Sequence, residues 1–253
     1  MPGSTTGEKI FGAGRFFGTN GVTSPTPTAF LVPQDQSIDF KQATKSLYGE
    51  LKLPVEVAAG ELTVSGKITM GTNNARMFSD LLFNVAGVTG QISESNLEGP
   101  SVIPSTPFQV TVVNGATFLS DLGVNDPASG LRYTLVASGP TTGQYSLNAV
   151  TGVYTFAAAD AGKSVVISYL YTVASTGEKI AVANTLMGPA GSFQAAMVFT
   201  NGSSQDVLIL NNAISEGVSI ATKQGDFAKP VFSFMASTDG SNNLGTFSFA
   251  QAA

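Results

Sequence analysis

The sequence predicts a mainly β protein, a two-sheet antiparallel β-sandwich or barrel with one short flanking α-helix at about residues 75–83. Three observations carry this. Glu61 to Met70 alternates apolar and polar residues, with Leu62, Val64, Ile68 and Met70 on one face, the two-residue period of a half-buried strand. Between Phe108 and Phe249, short apolar runs recur between closely spaced turn signals, as in sandwiches and barrels. Charged residues make up 11% of the chain, against roughly 25% in an average globular protein. With 43% hydrophobic residues, 28 Gly and 17 Phe, this suits a β protein whose surface is partly hidden in assembly.

Taken in order, residues 1–20 read as an N-terminal arm, with the main domain at 21–253 and residues 100–175 as a candidate additional β lobe. Gly and Pro before Arg15 forbid a stable helix. The compact feature of the arm is FGAGRFFG, which sets Phe11, Phe16 and Phe17 around Arg15. Either these rings cover the domain's own core or the arm docks on a neighbouring subunit. Phe30 to Val32 ends at Pro33, which favours an edge or a strand start. Asp35 and Asp39, four apart on an extended chain, share a face. Lys41 to Leu53 reads as a long connection carrying KSLYGE, so that Lys45, Leu47 and Tyr48 either fold back or contact another molecule. Leu51, Leu53, Val55 and Val57 form a second apolar row, and Ala58-Ala59-Gly60 is expected to turn before the strand at 61–70. Asn73 and Asn74 offer caps to the helix, whose Met77, Phe78, Leu81 and Leu82 recur at helical spacing.

The Pro-rich GPSVIPSTP (99–107) reads as a linker or a connection between sheets. Strands are expected at 108–113, 131–137, 145–147, 153–156, 164–173 and 179–187, then at 192–200, 205–210, 212–221, 228–236 and 244–249. Asn201-Gly202-Ser203 reads as a hairpin turn. Phe227, Phe232, Phe234, Phe247 and Phe249 should fill core or interface.

The chemistry these residues allow is narrow. Without His or Cys, a Ser-His-Asp triad, a His-based metal site and thiolate chemistry are excluded. Gly162-Lys163-Ser164 resembles the end of a phosphate loop, but Ala157 stands where the motif needs Gly and a strand follows. Gly12-Ala13-Gly14 lacks the spacing of a dinucleotide fingerprint. Asp35 and Asp39 have no partner for acid–base work, and Thr176 to Lys179 reads as a turn. The 12 basic residues are scattered, and the net charge of −5 argues against a protein that grips phosphates. No apolar run approaches the ~18 residues of a membrane span, and residues 1–20 lack a signal-peptide core, so synthesis in the cytoplasm is expected. Neither a catalytic residue nor a cofactor or metal site is expected.

The segment SIDFKQATKSLYGELKLPVEVAAGELTVSGKITMGTNNARMFSDLLF (37–83) resembles the major tail (tail tube) proteins of long-tailed bacteriophages. In that family a strand enters a long loop built on a KxLYGxxxxPVxVAxG pattern, here Lys45, Leu47, Tyr48, Gly49, Pro54, Val55, Val57, Ala58 and Gly60. Phe78 to Phe83 stands where the family has a short helix. TGVYTFAAADAGKSVVISYLYT (151–172) and TKQGDFAKPVFSFMA (222–236) also resemble it, whereas 87–129 has no counterpart.

The resemblance implies a homo-oligomeric structural protein of the virion tail, assembled in the host cytoplasm. Hexameric rings would stack into a tube through which DNA passes without specific binding, and no membrane is involved. Phe11, Arg15, Phe16, Phe17, Lys45, Leu47 and Tyr48 would then make contacts between subunits, and Asp35, Asp39 and Glu56 would face the lumen. Other tail proteins (tape measure, terminator, baseplate or tip) would be its partners. Two other classes compete. A capsid decoration or Ig-like virion surface module would share the composition. A carbohydrate-active β enzyme would want convergent carboxylates and Trp platforms, and the chain has no Trp.

Overall fold

The computed structural model describes residues 12–20, 24–30, 32–184, 191–201 and 204–250. The chain divides into two compact units, Met1–Gly87 with Ile180–Ala253, and Val88–Lys179. Both are built of antiparallel sheets, as the alternation and turn spacing predict; one parallel pair is the exception.

The first unit contains β1 (Arg15–Asn20), β2 (Ser24–Phe30), β3 (Pro33–Tyr48), β4 (Pro54–Met70), helix α1 (Met77–Leu82), β12 (Ser192–Asn201), β13 (Ser204–Ser219), β14 (Val231–Ser237) and β15 (Gly245–Ser248). Its eight-stranded sheet runs β2-β1-β12-β13-β14-β4-β3, with β15 on β13. The sheet folds over itself as a sandwich. Phe16 of β1 lies 5.7 Å from Phe234 of β14, although two strands separate them in the sheet. Gln36 of β3 donates from Nε2 to the Val198 carbonyl of β12 at 3.3 Å. Strand β13 pairs with β12 from Ser204 to Ile214, with β15 from Val207 to Leu210 and with β14 from Asn212 to Ser219. The core between the layers holds Phe16, Phe30, Ile68, Met70, Met197, Phe193, Phe232 and Phe234, with Met77 and Leu81 supplied by the helix.

Helix α1 sits where the amphipathic spacing predicts, but its turn is wide: the Phe83 N–H donates to the Phe78 carbonyl five residues back. Asn74 Oδ1 accepts from the Arg76 N–H. Asp80, buried, binds Arg76 at 2.9 Å and accepts from Thr28, while Asn20 donates to the Asp80 carbonyl. These bonds tie the helix to β1 and β2.

Several expectations are corrected. Residues 15–20 are not an arm but strand β1, paired on one side with β2 and on the other with β12; a boundary at residue 20 would cut that pairing. Ala58-Ala59-Gly60 does not turn. Strand β4 runs straight through it, and the register passes from Gln42↔Leu62 to Thr44↔Ala59, so that one residue of β3 faces two of β4. That is a bulge, which small residues accommodate. The connection at 41–53 is mostly strand: β3 continues to Tyr48, and only residues 49–53 lie between the strands. The strands expected at 205–210 and 212–221 are one, β13, which ends at Ser219. Residues 180–184 are not in a strand, and 131–137 is a strand only at Thr134–Leu135.

The second unit holds two sheets. The first is β5 (Val88–Val102), β11 (Ser164–Lys179) and β7 (Phe118–Asn125). The second orders β6 (Gln109–Thr111), β10 (Val153–Phe156), β9 (Gln144–Asn148) and β8 (Thr134–Leu135), with β8 parallel to β9. The Pro-rich stretch connects these sheets. The predicted lobe at 100–175 is therefore wider, because β5 and β11 pair along their length from Val102↔Ser164 to Val88↔Lys179. Its core is aromatic and separate from the first: Tyr133, Tyr145, Tyr154, Phe156 and Tyr169 pack with Ile103, Val124, Val165 and Ile167.

Candidate functional site

The β3–β4 hairpin outruns the body it grows from. Near its base, β4 alternates regularly, with Val64, Gly66, Ile68 and Met70 buried. Beyond Val64 every residue out to the tip is exposed except Pro54, on both strands from Asp39 onward. By register, the face that continues the core side carries Phe40 and Leu62, then Val57 opposite Ser46. All three apolar side chains are exposed, as is Val55 further out. At the tip, Leu51 and Leu53 are 81% and 78% exposed, beside Leu47 and Tyr48 at 62% each. Residues 49–55 form a shallow, mostly apolar cleft of about 710 Å³. Full burial of such side chains is worth about 1.5–3 kcal/mol each, a stabilisation this hairpin does not gain within the described residues.

The opposite face is polar. Asp35, Ser37, Asp39 and Lys41 alternate along β3, opposite Thr69, Lys67, Ser65 and Thr63 of β4. Continuing along β3 in the same register, Lys45 and Leu47 fall on this face with Ala58 and Glu56 as their partners. Asp35, Asp39 and Glu56 thus share one face of the hairpin, and all are exposed. Glu56 stands on the projecting part, away from the other two. A shallow depression next to this face is bordered by Lys67, Glu216 and Ser233.

The other predicted contact residues separate. Phe16 is buried in the chain's own core, its ring 4.8 Å from Phe30. It is removed from any contact surface because β1 alternates and Phe16 takes the inward position. Phe17, one residue on, faces the other way opposite Ala196 and Ala29 and is half-buried, while Arg15 is exposed at the strand's start. Phe11 lies outside the described residues. Phe40 was not marked as a contact candidate, and Leu62, expected on the buried face of its strand with Val64, Ile68 and Met70, is exposed. The row Leu51 to Val57 was visible as a strand, but its position beyond the core was not. The signal available was its partner strand: Thr44 and Ser46 offer no apolar neighbours to Ala59 and Val57.

Among the described residues, strands β2 and β3 stand at the two ends of the sheet's order, so each has one edge without a strand partner.

Asp121, Glu98 and Asp160 of the second unit are hydrogen-bonded within that unit. Asp121 accepts from Tyr145 Oη at 2.5 Å, from Tyr154 Oη at 2.9 Å and from the Gly123 N–H. Glu98 accepts from Tyr169 Oη and from the Val113 N–H. Burial, and after it the hydrogen bond to Asp121, pushes Tyr145 and Tyr154 far above the usual phenol range. Phenols held protonated in this way are not nucleophiles; they are cross-braces. Asp160, fully buried, is bound by Lys163 at 2.7 Å and by the Gly143 N–H. Among the described residues no group of three or more His, Cys, Asp or Glu could hold a metal. Among those residues also, no helix is long and apolar enough to cross a membrane.

No protein-family model matches the chain, and no curated protein sequence matches it.

Proposed function

We propose that the chain is a non-catalytic structural subunit that self-associates, and that it builds a phage tail tube from stacked hexameric rings. The observation that carries self-association is the projecting hairpin, whose Phe40, Leu47, Tyr48, Leu51, Leu53, Val55, Val57 and Leu62 are exposed and find no cover among the described residues. A concentration of exposed apolar side chains on one projecting element supports an interaction site. The two open sheet edges add to this, since ring closure pairs edges that a free subunit must otherwise protect. The tube itself, its six-fold rings, the virion tail location and the tape-measure, terminator and baseplate or tip partners rest on the resemblance of residues 37–83. On that reading Asp35, Asp39 and Glu56 line the lumen, where negative charge disfavours adsorption of passing DNA.

Sedimentation velocity of the purified chain over a wide concentration range tests self-association. The expected result is growth from monomer to discrete rings and larger particles. A monomer at every concentration would favour the second reading, a capsid decoration or Ig-like surface module, which the compact β unit at 88–179 supports.

A further inference from the structure

The two units share no core residue: one core is built from Phe16, Phe232, Phe234 and their neighbours, the other from Tyr145, Tyr154, Tyr169 and theirs. The second unit is also closed at its ends. Its first and last strands, β5 and β11, are antiparallel partners, and their outermost pair is Val88 with Lys179. The chain therefore enters and leaves through residues whose Cα atoms are about 5 Å apart. In the first unit, Gly191 and Asn84, which lie on the two sides of the insertion in the chain, also come close: a Cβ on the glycine would stand 2.9 Å from the Asn84 Cβ. Each unit thus keeps its chain continuous without a path through the other, the geometry under which domain insertions are tolerated.

The surfaces differ as well. The projecting hairpin belongs to the first unit, with Phe40 and Tyr48 exposed, as is Phe227 at 86%. In the second unit every Phe and Tyr is buried or half-buried. Aromatic anchors are what interfaces between proteins most depend on.

We propose that residues 88–179 are a guest domain that folds and unfolds as a cooperative unit of its own. Contacts between copies of the chain are made by the host, residues 1–87 with 180–253. The second statement rests on the reading of the chain as a self-associating subunit; the first does not.

Calorimetry of the full chain tests the first statement. Wild type is expected to show two transitions. Tyr154→Ala, in the guest core, should lower one midpoint by about 10 °C or more and leave the other unmoved; Phe232→Ala, in the host core, should do the converse. If Tyr154→Ala leaves no folded guest, Tyr154→Phe, which removes only the hydroxyl bound to Asp121, supplies the same comparison with a smaller shift. A single transition moved by both substitutions overturns the guest domain. Sedimentation of Tyr154→Ala at a temperature between its two midpoints tests the second statement. Oligomers of wild-type size are expected, and dissociation under conditions where wild type stays assembled overturns it. A wild type that is monomeric at every concentration sinks the subunit reading and host-only contact together, while the two transitions still decide whether the guest is autonomous.

Discussion

Gly66 shows what a single residue settles in this fold. It sits in β4 opposite Phe234, and the Phe234 ring occupies the space that a side chain at 66 would need. Glycine weakens a strand, and an aromatic ring laid across it restores the burial. Gly66→Ala forces the ring out of a packed core and is expected to cost about 1–3 kcal/mol, read from the urea midpoint at unchanged slope. Asp121 plays the corresponding part in the guest, holding two tyrosine hydroxyls. Tyr145 and Tyr154 stay protonated in the fold well above the pH of about 10 at which an unfolded chain ionises them. Their contribution to stability is therefore complete below pH 10 and is lost as the pH rises from there toward the folded values. Alkaline titration followed at the phenolate absorbance should show their ionisation coinciding with unfolding of residues 88–179. Smooth ionisation near pH 10 in the folded protein would contradict it. Asp121→Ala should bring that unfolding to lower pH.

At the scale of elements, the hairpin separates stability from association. Leu51 and Leu53 touch no core, so Leu51→Ser with Leu53→Ser is expected to leave the unfolding free energy within about 0.5 kcal/mol of wild type. The same pair should weaken self-association by tenfold or more, which sedimentation velocity reads directly. Equal loss of both would mean that the tip folds onto the body. Much of this element was legible beforehand. Alternation at 61–70 gave the strand and its buried face, and Leu47 and Tyr48 stood out as apolar residues in a connection. What misled was Ala58-Ala59-Gly60, where small residues serve a bulge as readily as a turn. Phe16 and Phe17 carry opposite fates on adjacent positions, and only the register of β1 against β12 decides which points inward. Period alone could not tell that β13 runs through Asn211 and Asn212 unbroken, because one edge keeps β12 from Ser204 to Ile214 while the other passes from β15 to β14.

For the whole molecule, mainly antiparallel β architecture was predictable from composition and turn spacing, and so was a candidate lobe at 100–175, but the bounds of the second unit were not. The boundaries at 87 and 179 fall next to a paired strand end rather than at a Pro- or Gly-rich linker, so composition does not mark them. The conspicuous GPSVIPSTP lies inside the guest, between its two sheets. Closure of copies of this chain into stacked rings is tested by negative-stain electron microscopy of the purified full chain at low and at high concentration. Rings with a central hole, lengthening into hollow tubes as concentration rises, are the expected result. Isolated single particles without a hole at every concentration would contradict it.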